Sequence, residues 1–275
     1  MREQGGVVND SGVASNTDGG AKARRNFTQP ALQEELLEAV VASANMHAAW
    51  ARVKSNKGAP GVDGMTIEEF PAFAKVHWPA IRQALMDGGY RPSPVRRVMI
   101  PKPGGGERPL GIPNVVDRVI QQAIAQVLTP IFDPEFSESS FGFRPKRSAH
   151  GAVKQVQAYI KAGYHIAVDL DLQKFFDNVS HDILMVRVAR RVGDKRLLAL
   201  IGRYLRAGVM VGECVQPSEI GTPQGERTDR RCWPTFCLMI WIGNWRNGAT
   251  ASRGMPTIFW YSSRAFEPAS ASKPV

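Results

Sequence analysis

Apolar positions recur at two different periods along this chain, and the switches between them outline its elements. From Pro30 the spacing is helical: Leu32, Leu36, Leu37, Val40 and Val41 share a face, with Pro30 suited to a first turn. Residues 95–100 read as a strand, Gly104-Gly105-Gly106 as a turn, and residues 107–113 as the returning strand. Residues 115–128 return to helical spacing, with Val119, Ile120, Ala123, Ile124 and Val127 facing a core. Pro130 and Pro134 are expected to end that helix. Residues 152–162 and 197–205 give two more helices. Between them, residues 167–172 alternate. Val168, Leu170 and Leu172 fall on one side of a strand, Asp169, Asp171 and Gln173 on the other. After Phe176 the period changes again, and Asn178 or Ser180 can cap a helix running through Ile183, Leu184 and Val188. Residues 1–29 are rich in Gly, Ser, Asn and Asp and almost without periodicity, so a disordered leader is expected there.

A chain of 275 residues allows one or two domains with a sizeable core. Its net charge of +10 changes the picture more than its length does, because such a balance suits a polyanionic partner, most often nucleic acid. No apolar run is long enough to span a bilayer, so no membrane role is expected, and no signal peptide precedes the first elements. Cys214, Cys232 and Cys237 lack disulfide or zinc spacing, which fits a reducing cytoplasm.

Four segments carry candidate chemistry. Residues 54–64, Lys-Ser-Asn-Lys-Gly-Ala-Pro-Gly-Val-Asp-Gly, form a basic loop whose glycines free backbone amides for phosphate; Lys57 lies at its centre. In the hairpin of residues 95–113, Arg96 and Arg97 precede the glycine tip, and Lys102 and Arg108 flank it. Arg there can grip a triphosphate bidentately and Lys as a point charge. Residues 140–150 interleave Phe141 and Phe143 with Arg144, Lys146 and Arg147, a composition suited to stacking on bases and pairing with phosphates. Each of these three also describes a plain surface loop. The fourth is the strand with Asp169 and Asp171. Carboxylates at a strand end beside a helix start can hold magnesium for nucleotidyl transfer, since hard cations want oxygen ligands. A solvated strand face has the same pattern.

In order, however, these segments resemble group II intron reverse transcriptase/maturases. The resemblance rests on Asn-Lys-Gly-x-x-Gly-x-Asp-Gly from Asn56 and on Pro-Lys-Pro followed by Arg-Pro-Leu-Gly-Ile-Pro around Lys102 and Arg108. Gly-Phe-Arg-Pro-x-Arg-Ser-x-His from Gly142, Asp-x-x-x-Phe-Phe-Asp from Asp171 and Pro-Gln-Gly at 223–225 complete it. It implies an α+β fold: the fingers and partial palm of a right-hand polymerase, with the palm a small antiparallel sheet. Domains follow as 30–90 (N-terminal extension of the fingers), 91–166 (fingers) and 167–225 (partial palm). It implies RNA-directed DNA synthesis with Mg2+, dNTPs, an intron RNA template and a DNA primer. Asp171 would ligate metal, with Asp169 as a weaker candidate and the Leu172 carbonyl as a further ligand. Lys102 and Arg108 would meet the nucleotide's phosphates, Phe176 would crowd its 2′ position, and Gln224 would lie beneath it. Lys57, Arg96, Arg97, Phe143, Arg144 and Arg147 would grip nucleic acid. His150 reads as a helix-start residue, and Gln121 and Gln122 could reach nucleic acid from their helix. A non-catalytic RNA-binding fragment and a retron-type enzyme are the alternatives.

The resemblance stops at Gly225. The family continues with Ser-Pro-Leu-Leu and a Tyr-Ala-Asp-Asp hairpin carrying the other carboxylates; here residues 226–275 hold four of the six tryptophans and only Glu226, Asp229 and Glu267 as acids. The genetic code offers a reason. The codons for Met255 to Trp260, read one nucleotide earlier, permit Tyr-Ala-Asp-Asp-Phe-Leu. With CGN codons at Arg230 and Arg231, the stretch from Asp229 permits Ser-Pro-Leu-Leu in the same shifted frame. The expectation is a frameshift between Gly225 and Asp229, an out-of-frame tail over 226–275 that does not fold, and a palm left with bare sheet edges.

Overall fold

The helix α4 (Val115–Phe132) is the axis of the core in this computed structural model. The structure describes residues 34–101, 105–142, 144–164, 166–170, 175–222 and 257–261; for Arg108, residues 167–170, Phe175 and 257–261 it describes the backbone alone. Val119, Ile120, Ala123, Ile124 and Leu128 of α4 are buried, against α1 (Leu36–Val41) and α2 (Ser43–Asn56). Each large aliphatic side chain removed from water there contributes roughly 2 kcal/mol before entropy is counted. The helix outlasts Pro130, which lies in its final turn. A proline this close to the end forfeits one bond, to the Gln126 carbonyl, and a short 3-10 turn over Asp133–Glu135 then closes the segment.

Within the described residues the apolar run read after Pro30 is α1, and a second helix, α2, follows after a break. Ala42 takes an extended conformation between α1 and α2, and Asn45 bridges the break by donating to the carbonyls of Val40 and Ala123. α3 (Phe70–Met86) was not legible as a helix, because Pro71 and Pro79 interrupt its pattern. A sharper sign was available. Thr66 and Glu69 form a reciprocal capping pair: Thr66 N–H donates to Glu69 Oε2 (2.9 Å) and Glu69 N–H to Thr66 Oγ1 (3.3 Å).

Further along lie α5 (Ala149–Lys161), α6 (His181–Ala189) and α7 (Lys195–Leu205), each with a side-chain cap. Ser148, Ser180 and Asp194 accept from the first-turn amides. Asp194 serves two helices. Its Oδ1 takes the amides of Arg196 and Leu197, and its Oδ2 takes that of Leu37 in α1 (2.9 Å). α1 and α7 are thereby tied through one buried carboxylate.

The strands form two sheets. β1 (Val95–Pro101) and β2 (Glu107–Ile112) are the antiparallel hairpin read from the glycines, with Arg96 opposite Ile112 and Ile100 opposite Arg108. β1 also pairs in parallel with β4 (Val209–Val211), which turns back into β5 (Cys214–Gln216), giving the order β2-β1-β4-β5. β3 (Ile166–Leu170) stands in the second sheet with β6 (Thr257–Tyr261). No helix among the described residues is long and apolar enough to cross a membrane.

Candidate functional site

β3 is the strand with the acidic alternation, and its described backbone runs through Asp169 to Leu170. Asp171 and Leu172 lie outside the described residues. The chain reappears as a 3-10 turn over Phe175–Asn178 and enters α6 through the Ser180 cap. Two expectations change here. β3 is paired in parallel, not antiparallel, with Asp169 opposite Trp260. Its partner comes from the segment expected to stay outside the fold. The reason is local: Thr-Ile-Phe-Trp-Tyr is a run of β-branched and aromatic residues, and β3 offers an open edge for such a run to pair with.

The loop leading to Gln224 is latched onto the end of this motif. Thr222 N–H donates to the Phe176 carbonyl (2.7 Å) and Gly221 N–H to the Val179 carbonyl (2.9 Å). Ser180 and Ile220 form an antiparallel bridge. The buried His181 ring completes the latch, its Nε2 lying 2.7 Å from the Gly221 carbonyl oxygen, where an Nε2–H can donate. Only glycine fits at 221: its φ is +83°, and a Cβ would stand 2.8 Å from the Asp177 carbonyl oxygen and 3.0 Å from that of Phe176. Phe176, half-buried, is thus held beside the stem of the loop, while Gln224 itself lies outside the described residues. Sequence reasoning missed His181 and Gly221. Their only sign was position, one opening α6 and the other preceding the Pro-Gln-Gly turn.

The basic candidates divide. Lys57 is exposed at the end of α2, in a left-handed conformation (φ 53°) that turns the chain into the 57–64 loop. That loop is docked, not free: Asn114 Oδ1 accepts the Val62 amide (2.9 Å), and Arg118 donates to the Ala59 carbonyl (2.8 Å). Gly61 permits the approach, since a Cβ there would lie 2.7 Å from the Asn114 backbone. On β1, burial alternates so that Arg97 is on the exposed face and Arg96 on the half-buried one, with its Nε buried and unpaired in the structure. The two side chains leave the strand on opposite faces. Arg108 is on β2 opposite Ile100; Lys102 and Phe143 lie outside the described residues.

Arg144 departs most from expectation. Its guanidinium is buried, with Nε 2.8 Å from Asp133 Oδ1 and Nη2 donating to the Asp133 carbonyl (2.9 Å). Nη1 donates to the carbonyls of Ser137 (2.7 Å) and Ser140 (3.1 Å), and the guanidinium carbon lies over the Phe136 ring, 5.4 Å from its centroid. Every arm of the fork is engaged inside the protein, so in this structure Arg144 braces the turn, not the exposed contact expected of it. Arg147 reaches Glu138 instead (2.7 Å), at the surface and over the Phe141 ring. His150 is exposed in the first turn of α5, as read. Gln121 and Gln122 are buried in α4, not exposed, and Gln122 donates to Gln126.

A buried acid also escaped the sequence reading. Asp117 accepts from Tyr90 (2.8 Å), Tyr204 (3.1 Å) and the Ser93 amide (3.2 Å), joining the base of the hairpin, α4 and α7. Burial pushes its carboxyl up to about 6, with the three hydrogen bonds opposing the shift. The same burial and the Asp117 charge raise Tyr90 and Tyr204 well above the ordinary tyrosine range.

Comparison with known proteins decides the lineage. The family model described as reverse transcriptase (RNA-dependent DNA polymerase) matches residues 100–228. Protein YkfC of Escherichia coli (strain K12) is 36% identical over 205 residues, covering 72% of this chain and 54% of that protein. The group II intron-encoded protein LtrA of Lactococcus lactis subsp. cremoris is 36% identical over 180 residues, covering 65% of this chain and 30% of that protein. The chain belongs to the group II intron reverse transcriptase/maturase family. A reverse transcriptase fold also appears in the solved partial Cas6-RT-Cas1--Cas2 complex, similar at a TM-score of 0.50 and 20% identity over 78% of this chain and 34% of that one. This member of the family spans about half the length of YkfC and under a third of LtrA. Its fold is therefore a partial reverse transcriptase fold.

For this reverse transcriptase relative, no group of three His, Cys, Asp or Glu side chains converges among the described residues. The donors that the motif offers, carboxylates and a backbone carbonyl, are all oxygens, the ligand type a hard divalent cation takes.

Proposed function

We propose that this chain derives from an RNA-directed DNA polymerase of a group II intron and keeps the RNA grip while lacking the polymerase chemistry. The observation that carries the polymerase reading is the latch, because it brings Phe176 and the stem of the Gln224 loop together just beyond the carboxylate strand. In the intact lineage magnesium would be held by Asp171, with the Leu172 carbonyl and Asp169 as further oxygen donors, and would supply charge neutralisation for nucleotidyl transfer. Phe176 would crowd the 2′ position, Gln224 would support the incoming base pair, and Lys102 and Arg108 would hold the triphosphate. Lys57, Arg96, Arg97 and Arg147 would contact the backbone of an intron RNA template or its DNA primer.

The loss of chemistry, which leaves a non-catalytic RNA-binding fragment, is argued from what stands beside β3. Two-metal transfer needs carboxylates from more than one strand. Where the shifted frame permits an aspartate pair, this chain has Thr257 and Ile258, opposite Ile166 and Ala167. Residues 226–275 are on this reading out-of-frame translation.

Primer extension on an RNA template tests both. The 275-residue chain should retard RNA on a gel and extend no primer with magnesium or manganese. A one-nucleotide correction near the Gly225 codon, with the downstream frame extended to its stop, should restore synthesis. In that corrected protein Asp171→Asn should abolish synthesis and leave RNA affinity nearly unchanged. Robust DNA synthesis by the chain as it stands would overturn the inactive reading, and a nucleotide sequence whose shifted frame lacks Tyr-Ala-Asp-Asp would end the frameshift.

A further inference from the structure

Three arginines outside every motif described above meet where α7 ends and the hairpin begins. Arg203 sits in the last turn of α7 and donates from Nη1 to the Tyr90 carbonyl (3.1 Å), which puts it against the residue preceding Arg91. Its Nη2 lies beside the turn that ends α3, 3.7 Å from where a Cβ on Gly88 would stand. Arg206 is three residues on, a neighbour on the same helix surface. Its guanidinium folds back over Gly202, with Nη2 3.0 Å from the position a Cβ would take there. Arg91 and Arg206 are exposed and Arg203 is half-buried. The Val95 amide donates to the Gly208 carbonyl (3.0 Å), so the cluster adjoins the first residue of β1 and, through it, Arg96.

Among the described residues no carboxylate forms an ion pair with any of the three, whereas Arg144, Arg147 and Arg191 each have one and Arg196 has two. Arg203 is held below the ordinary guanidinium range, first by desolvation and then by the charges of Arg91 and Arg206. Helix ends offset part of this repulsion, because α7 directs its negative end at these side chains. That explains why cations are tolerated here. It does not explain why three converge with no acid among them.

We propose that Arg91, Arg203 and Arg206 form a phosphate-binding patch for the backbone of single-stranded RNA, continuous with β1. The inference rests on the RNA-binding reading above. Guanidinium forks bind phosphate bidentately, and three of them without carboxylate partners leave several donors free for phosphodiester oxygens. The contact would carry no sequence preference, since it reads the backbone alone.

The test uses the full 275-residue chain and a labelled single-stranded RNA oligonucleotide, with affinity measured across a salt series. Arg91→Gln with Arg206→Gln removes two exposed charges and spares the Arg203–Tyr90 bond. The slope of log affinity against log salt should fall in magnitude by about 1.4, two contacts at roughly 0.7 each. Lys75→Gln with Lys195→Gln, equally exposed and equally charged, should leave the slope near its original value. Arg91→Lys with Arg206→Lys should recover most of it, because point charges still release counterions. An unchanged slope in the Arg91/Arg206 variant, or an equal fall in the lysine control, would overturn the patch while leaving RNA binding intact. Failure of the unaltered chain to bind RNA would instead sink the functional reading, and the patch with it.

Discussion

In the turn before α5, Arg144 gives its donors to Asp133, Ser137 and Ser140 and sits over the Phe136 ring. At the end of α7, Arg203 gives one N–H to a carbonyl and faces two more arginines. The side chains are chemically identical, and the surrounding backbone decides their work. The carbonyls of Asp133, Ser137 and Ser140 converge on Arg144, two of them also taking a backbone amide, and a guanidinium's planar fork can answer several acceptors at once. Around Arg203 the nearby turns are already closed by their own bonds, such as those from Gly89 and Tyr90 to the Ala84 carbonyl. Its neighbours therefore remain turned towards solvent. A basic residue inside a motif can be a brace, and one outside every motif can be a contact.

Removing a brace should cost most. Arg144→Ala removes the ion-pair partner of Asp133 and one donor from each of three carbonyls, two of which keep a backbone amide, and should destabilise the protein by about 3–4 kcal/mol in urea unfolding. A loss below about 1 kcal/mol would mean the turn is held by something else.

Asp117 tests whether an inward acid behaves as the inward arginine does. Its folded carboxyl titrates near 6, above the value of about 3.9 expected when unfolded. The folded state therefore binds the proton more tightly, and stability from this group is greatest below pH 4 and declines as pH rises to 6. The decline should reach about 3 kcal/mol, an order-of-magnitude figure. Stability against pH for the parent and Asp117→Asn should differ in slope across that window; parallel curves would exclude Asp117 as the source.

The latch comes next. Gly221→Ala puts a Cβ against two carbonyl oxygens at a positive φ, and should cost about 2 kcal/mol by thermal or urea unfolding. An alanine tolerated without loss would show that the loop moves away freely. Arg147→Ala should have the smallest effect on stability, under about 1 kcal/mol, because its partner Glu138 is at the surface. If Arg147→Ala proved as damaging as Arg144→Ala, the division between brace and contact would fail.

Much of this protein was readable from local pattern. The β1–β2 hairpin followed from alternation around three glycines, the Ser180 cap from its place before Ile183 and Leu184, and α4 from unbroken helical spacing. These depend on near neighbours, and period and capping are near-neighbour properties. The family was readable as well, because its motifs recur in order and each is short. What the tertiary structure decided was partnership across distance. Gln122 is polar by composition and buried by the packing of α2 on α4; Arg144 reads as a contact and faces inward. Asp194 caps its own helix through near neighbours, but its second bond, to Leu37, joins residues far apart in sequence. The pairing of β3 with β6 is of the same kind. Thr257–Tyr261 has strand chemistry in any context, and an open edge elsewhere in the chain gave that chemistry its parallel register.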